Sequence, residues 1–184
     1  MVNRRNKNTF MVALTGICLA FSVIGVFLAS FVPGVELTLY ALSSFFVGVV
    51  LIETGLKGGV LLYIAATLLI FVIVPNKLAV IPYALFFGIY GIIKYIAEKP
   101  ENKIVQYAIK LIFYFVVAGI SIFAIKGLFF GDMGIPTLGN WALFIGGTFV
   151  FVLYDFIYTL GMGFYRDRIK KHISKDQRED FKLS

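Results

Sequence analysis

Apolar residues run through this chain in stretches too long for the interior of a small soluble domain. The first of them, residues 10–32, carries no charge at all. A helix needs about 20 predominantly apolar residues, with a range of roughly 17–25, to cross the ~30 Å hydrocarbon core of a bilayer. Six stretches meet that requirement: 10–32, 35–52, 58–74, 78–96, 104–130 and 138–165. Over 184 residues the hydrophobic content is 60%, against about 45–50% in soluble domains. A globule of this length has too little interior to hide so much apolar surface. The runs are continuous, whereas membrane barrel strands alternate in polarity over about ten residues. The prediction is an all-α, polytopic integral membrane protein. It comprises an amino-terminal segment (1–9), a six-helix transmembrane domain (10–165) and a basic tail (166–184).

The separators have the chemistry of turns. Pro33-Gly34 ends the first run, residues 53–59 with three glycines part the second from the third, and Pro75-Asn76-Lys77 follows the third. The run Glu98-Lys99-Pro100-Glu101-Asn102-Lys103 is the clearest hydrophilic loop, and residues 131–136 follow the fifth span. A four-span alternative requires spans two and three to be one helix across three glycines and two charges, so six is preferred. Lys and Arg then fix orientation. Arg4, Arg5, Lys7, Lys57, Lys94, Lys99, Lys103 and seven basic residues of the tail fall on one side; only Lys77 and Lys126 fall on the other. Both termini are expected in the cytoplasm of a multi-pass cell-membrane protein. The first apolar run exceeds the 7–15 residues of a signal-peptide core, so it is expected to remain as an anchor. The net charge of +7 is accounted for by this bias and by attraction of the basic tail to anionic membrane lipids. Nucleic acid is not an expected partner.

Ionisable groups at membrane depth are costly unless paired. Asp155 lies ten residues before Tyr165, about 15 Å along its helix, and Lys110 lies about 9 Å inside span five from the same face. A Lys110–Asp155 ion pair between spans five and six is the economical reading, either as a structural lock or with Lys110 reaching the interface alone. Glu53 and Lys94, at the cytoplasmic ends of spans two and four, form a second candidate pair. At the opposite mouth, Glu36, Tyr40, Asn76, Lys77, Tyr83, Asp132, Asn140 and Trp141 supply hydrogen-bonding and aromatic groups suited to gripping a small polar solute. Trp and Tyr are also ordinary residents of a membrane interface. Ala13, Gly16 and Ala20 place small side chains on one region of span one, where they serve internal contact or a partner helix.

One cysteine (Cys18) and one histidine (His172) in different environments provide no metal-ligand set. No nucleophile–base constellation is present either. Neither a metal, a cofactor nor an enzymatic activity is therefore expected.

The stretches Ala13-Leu14-Thr15-Gly16-Ile17-Cys18-Leu19-Ala20, Glu36-Leu37-Thr38-Leu39-Tyr40-Ala41-Leu42, Gly55-Leu56-Lys57-Gly58-Gly59 and Ile81-Pro82-Tyr83-Ala84-Leu85-Phe86-Phe87-Gly88 carry a resemblance. In layout and texture the chain resembles the substrate-binding S-component of energy-coupling-factor transporters. That resemblance implies a six-helix, non-enzymatic subunit that binds a vitamin-like solute and works with a transmembrane coupling protein and ATPase subunits. The family often docks its coupling protein through an Ala-xxx-Ala step on the first helix; the step available here is Gly16-xxx-Ala20, with Ala13 one turn earlier. The absence of an amino-terminal histidine cluster argues against a nickel or cobalt carrier. The alternatives are a non-catalytic structural or assembly subunit of a larger membrane complex, and a secondary transporter built of inverted halves. No internal sequence repeat favours the latter.

Overall fold

A computed structural model describes residues 2–125 and 137–170, with side-chain surroundings for 9–120 and 145–167. Every regular element among them is helical: α1 (Val2–Ala29), α2 (Glu36–Ile73), α3 (Lys77–Pro82), a π-helical segment (Tyr83–Phe87), α4 (Gly88–Ala97), α5 (Lys103–Ile125), α6 (Thr137–Phe164) and a final π turn (Tyr165–Lys170). Five helical stretches are long and apolar enough to cross a membrane: Thr9–Ala29, Glu36–Ile73, Lys77–Ala97, Lys103–Ile120 and Ile145–Asp167. Their outward faces carry large apolar side chains such as Val12, Leu61, Val72, Ile112 and Phe149. Such faces suit lipid as a solvent and would associate in water.

The contacts divide the chain into two units, residues 1–92 with 156–184, and residues 93–155. In the first unit the most deeply buried side chains are Val26, Val47, Val50, Leu62, Ile70, Tyr83 and Tyr90. Phe21 of α1 stacks on Phe46 of α2 with ring centroids 5.3 Å apart. In the second unit Tyr114 of α5 stacks on Phe151 of α6 at 4.9 Å.

The structure departs from the expected spans most clearly in α2. The separator foreseen over residues 53–59 shrinks to a single residue, Gly55 (φ 77°, ψ −172°), with helix on either side of it. A straight helix of 38 residues would be about 57 Å long, nearly twice the hydrocarbon core. It is not straight. The Tyr40 hydroxyl donates to the carbonyl of Ala79 at 2.8 Å. Along a straight helix Tyr40 would lie about 50 Å from Ile73, and the six residues from there to Ala79 reach back at most about 22 Å. The two arms, 36–54 and 56–73, therefore fold back on each other at Gly55. The backbone conformation there belongs to a region essentially reserved for glycine, which is why one residue replaces the expected loop.

The other boundaries are closer to expectation. α1 starts at Val2, so most of the segment expected to precede the first span is helical. It ends at Ala29, where Ser30 caps back onto the carbonyl of Phe27 at 2.7 Å. The Asn76 side chain accepts from the Leu78 N–H at 3.1 Å and starts α3. Pro82, inside the helix, has no N–H to donate, and the next five residues wind as a π-helix. The Tyr63 hydroxyl crosses from the second arm of α2 to the carbonyl of Ala84 at 2.7 Å, bracing that widened turn.

Candidate functional site: a level of hydroxyls and a ring of charges

Within the first unit, four hydroxyl residues lie at one depth. Ser22 is seven residues before the end of α1, Ser43 seven after the start of α2, Thr67 six before the end of α2, and Tyr83 six beyond the start of α3. At 1.5 Å per residue each lies about 9–10 Å in from its helix end. The Tyr40–Ala79 hydrogen bond ties the start of α2 to the start of α3, so all four share one side of the unit.

Their hydrogen bonding is unequal. Ser22 donates to the carbonyl of Ser43 at 3.1 Å, and Ser43 donates to the carbonyl of Leu39 at 2.8 Å. The Tyr83 hydroxyl lies close to Ser22 and the Thr67 hydroxyl close to Tyr63, but both oxygens are buried without a hydrogen bond of good geometry. Tyr83 is wholly buried. Leaving a buried hydroxyl unpaired costs about 1–3 kcal/mol. Gly88 makes room for the two rings: a methyl there would lie 2.9 Å from Tyr63 and 3.0 Å from Tyr83.

Charge gathers in the second unit instead. Lys94 of α4 meets Asp155 of α6 at 2.5 Å and Glu98 at 2.8 Å. Lys110 of α5 meets Glu98 at 2.9 Å and Asp155 at 3.1 Å. Each cation thus touches both anions in a closed ring of zero net charge. Three members are buried, with the Lys94 and Lys110 side chains only 5% and 6% exposed and Asp155 12%, while Glu98 is 41% exposed. Burial works to raise the Glu98 carboxyl, but hydrogen bonds and charge from Lys94 and Lys110 prevail and hold its pKa below the ordinary carboxylate value. Such a ring resists separation of its helices, since removing one partner strands a buried charge.

The residues singled out from the sequence divide accordingly. Lys110 and Asp155 come together, but with Lys94 and Glu98 rather than as an isolated pair. Of the second candidate pair, Lys94 joins the ring, and the Tyr165 hydroxyl lies 3.4 Å from Glu53. Of the outer-mouth set, Tyr83 enters the hydroxyl level and Tyr40 lies just above it. Glu36 accepts from the N–H of Gly34 at 2.8 Å, Asn76 caps α3, and Lys77 donates to the carbonyls of Phe71 and Val74 at the end of α2. These three groups are engaged in finishing helices. Asp132 and Lys126 lie outside the described residues, as does His172; Asn140 and Trp141 lie on α6 but outside the described side chains. Ala13, Gly16 and Ala20 are exposed on α1, and a methyl added at Gly16 would meet open space. Among the described residues that face is exposed.

Ser22, Ser43 and Thr67 went unremarked in the sequence because hydroxyls in apolar helices ordinarily bond a carbonyl of the preceding turn. Only the depth they share distinguishes them, and that depends on the reversal at Gly55. No protein-family model matches the chain, and no curated protein or solved structure matches it either.

Proposed function

We propose that the chain is the membrane-embedded, solute-binding subunit of an uptake transporter of the energy-coupling-factor type. In this reading the two arms of α2 count as separate crossings, giving six, with both termini in the cytoplasm. The hydroxyl level then lies beneath the outer loops around residues 30–35 and 74–76. The observation that carries the reading is the pair of buried, unpartnered hydroxyls on Tyr83 and Thr67. An interior that holds donors ready and leaves them unmatched is one that a hydrogen-bonding solute completes. The exposed small face of Ala13, Gly16 and Ala20 supports the partner side, because small residues let a helix of a coupling protein approach closely in lipid.

A second reading, a non-catalytic assembly subunit of a larger membrane complex, is favoured by one observation. Glu36, Asn76 and Lys77 serve helix ends rather than converging on a mouth. Purification in mild detergent from native membranes separates the two. A retained small molecule together with coupling-protein and ATPase subunits supports the transporter. Stoichiometric capture in an unrelated complex, with no small molecule, refutes it. Impermeant maleimide labelling tests the topology: cysteines placed at Gly34 and Asn76 should react from outside, and those at Lys57 and Lys99 only from inside.

A further inference from the structure

We infer that the solute held at the hydroxyl level is uncharged, an inference that rests on the solute-binding reading above. The separation of polar chemistry between the two units carries it. In the first unit, the polar side chains that are buried among the described residues are serines and tyrosines: Ser22, Ser43, Ser44, Tyr40, Tyr83, Tyr90, Tyr158 and Tyr165. The buried charged groups, Lys94, Lys110 and Asp155, all belong to the second unit, where together with the more exposed Glu98 they form a ring of zero net charge. Glu36, Glu53, Lys57 and Lys77 of the first unit are all more exposed. Glu36 and Lys77 answer backbone groups at helix ends, and Tyr165 approaches Glu53.

A carboxylate, phosphate or ammonium at the depth of Tyr83 would find no buried counter-charge among the described residues of the first unit. An isolated ion in an apolar interior costs far more than hydroxyls can return, whereas a neutral amide, carbonyl or hydroxyl needs only matched hydrogen bonds. Tyr83 and Thr67 offer one O–H donor each, and their oxygens also accept. The neighbouring side chains of the unit include aromatic rings. Phe87 lies 5.6 Å from Tyr40 between ring centroids, and Phe86 lies 6.0 Å from Tyr90; both phenylalanines belong to the same π segment as Tyr83. The ligand class is therefore a neutral, hydrogen-bonding molecule with apolar or aromatic surface.

The test uses the full-length protein in detergent and a small-molecule extract of the expressing cells, split by ion exchange into neutral and ionic fractions. Binding is read by mass spectrometry of the retained molecules and by heat-induced labelling of Cys18, a buried thiol, with a thiol-reactive dye. The neutral fraction should raise the unfolding temperature of the wild type. Tyr83→Phe should weaken retention of the same molecule about tenfold, the effect of one lost hydrogen bond of about 1.4 kcal/mol. Thr67→Val, which keeps the shape, should weaken it similarly and guards against misfolding of the tyrosine variant. Retention from the ionic fraction overturns the assignment of charge while leaving solute binding intact. Retention from neither fraction overturns both. Undiminished retention of a neutral molecule by both variants overturns the placement of the solute at this level.

Discussion

Converting Asp155 to asparagine probes the charge ring with almost no change in shape. The carboxylate contacts Lys94 at 2.5 Å and Lys110 at 3.1 Å, and both ammonium groups are nearly sealed from solvent. At an effective dielectric near 20, each contact at ~3 Å represents about 5 kcal/mol of gross attraction. Most of this offsets the desolvation of the ions. The amide removes the attraction but leaves the desolvation, turning a neutral ring into one of charge +1 held by Glu98 alone. Removing one partner from a buried pair costs about 3–5 kcal/mol, and Asp155→Asn is expected within that range. Glu98→Gln removes the same formal charge, but that side chain is 41% exposed, so screening reduces its cost to about 1 kcal/mol or less. Adding Lys110→Met to Asp155→Asn restores neutrality and should recover most of the loss. The assay is unfolding by sodium dodecyl sulfate titration in mixed micelles, followed by far-ultraviolet circular dichroism. Equal costs for Asp155→Asn and Glu98→Gln, or no recovery in the double variant, would refute the account of the ring as a neutral, mutually dependent unit.

Three further outcomes are expected. Because the folded Glu98 pKa lies below its unfolded value, its stabilising contribution is present above the unfolded pKa, about 4.3, and fades as pH falls through the folded value. Melting temperatures measured between pH 3 and 7 should accordingly show a weaker acid-side decline for Glu98→Gln than for the wild type. Gly55→Ala forces an L side chain into a backbone region that costs about 1–3 kcal/mol. It should lower the melting temperature, whereas alanine at the open Gly16 position should not. Tyr40→Phe removes the hydrogen bond to Ala79 and should cost about 1 kcal/mol by detergent titration, with the hairpin at Gly55 preserved.

The helical architecture was legible in the sequence because long uncharged runs admit few other structures, and a charge within such a run, as at Lys110 or Asp155, stands out at once. Lys94 and Glu98 carried no comparable signal. They sit where a span meets a loop, a common place for charge, and their convergence on Asp155 depends on helix rotations that a run apolar on every side does not encode. The reversal within α2 was foreseen in kind but not in form: a glycine-rich stretch signals a turn, yet only the backbone conformation reveals that Gly55 suffices. The outer-mouth residues exposed the opposite weakness. Asn76 and Lys77 have the composition of a binding site, but the same groups cap helix ends, and a cap is recognised only when the carbonyl or N–H it meets is located.

The ring of charges also bears on how the chain is made. Lys110 and Asp155 are separated by 45 positions, which at about 5–20 residues per second is roughly 2–9 s of synthesis. Throughout that interval the ammonium group of α5 is without the carboxylate that later covers it. Glu98 precedes both, already bonded to Lys94 one turn away and half open to water, and can receive Lys110 as soon as α5 emerges. Until α6 arrives, the most exposed member of the ring is the one anion of the four on hand for the two cations, and a chain without it would carry both lysines uncompensated over that interval.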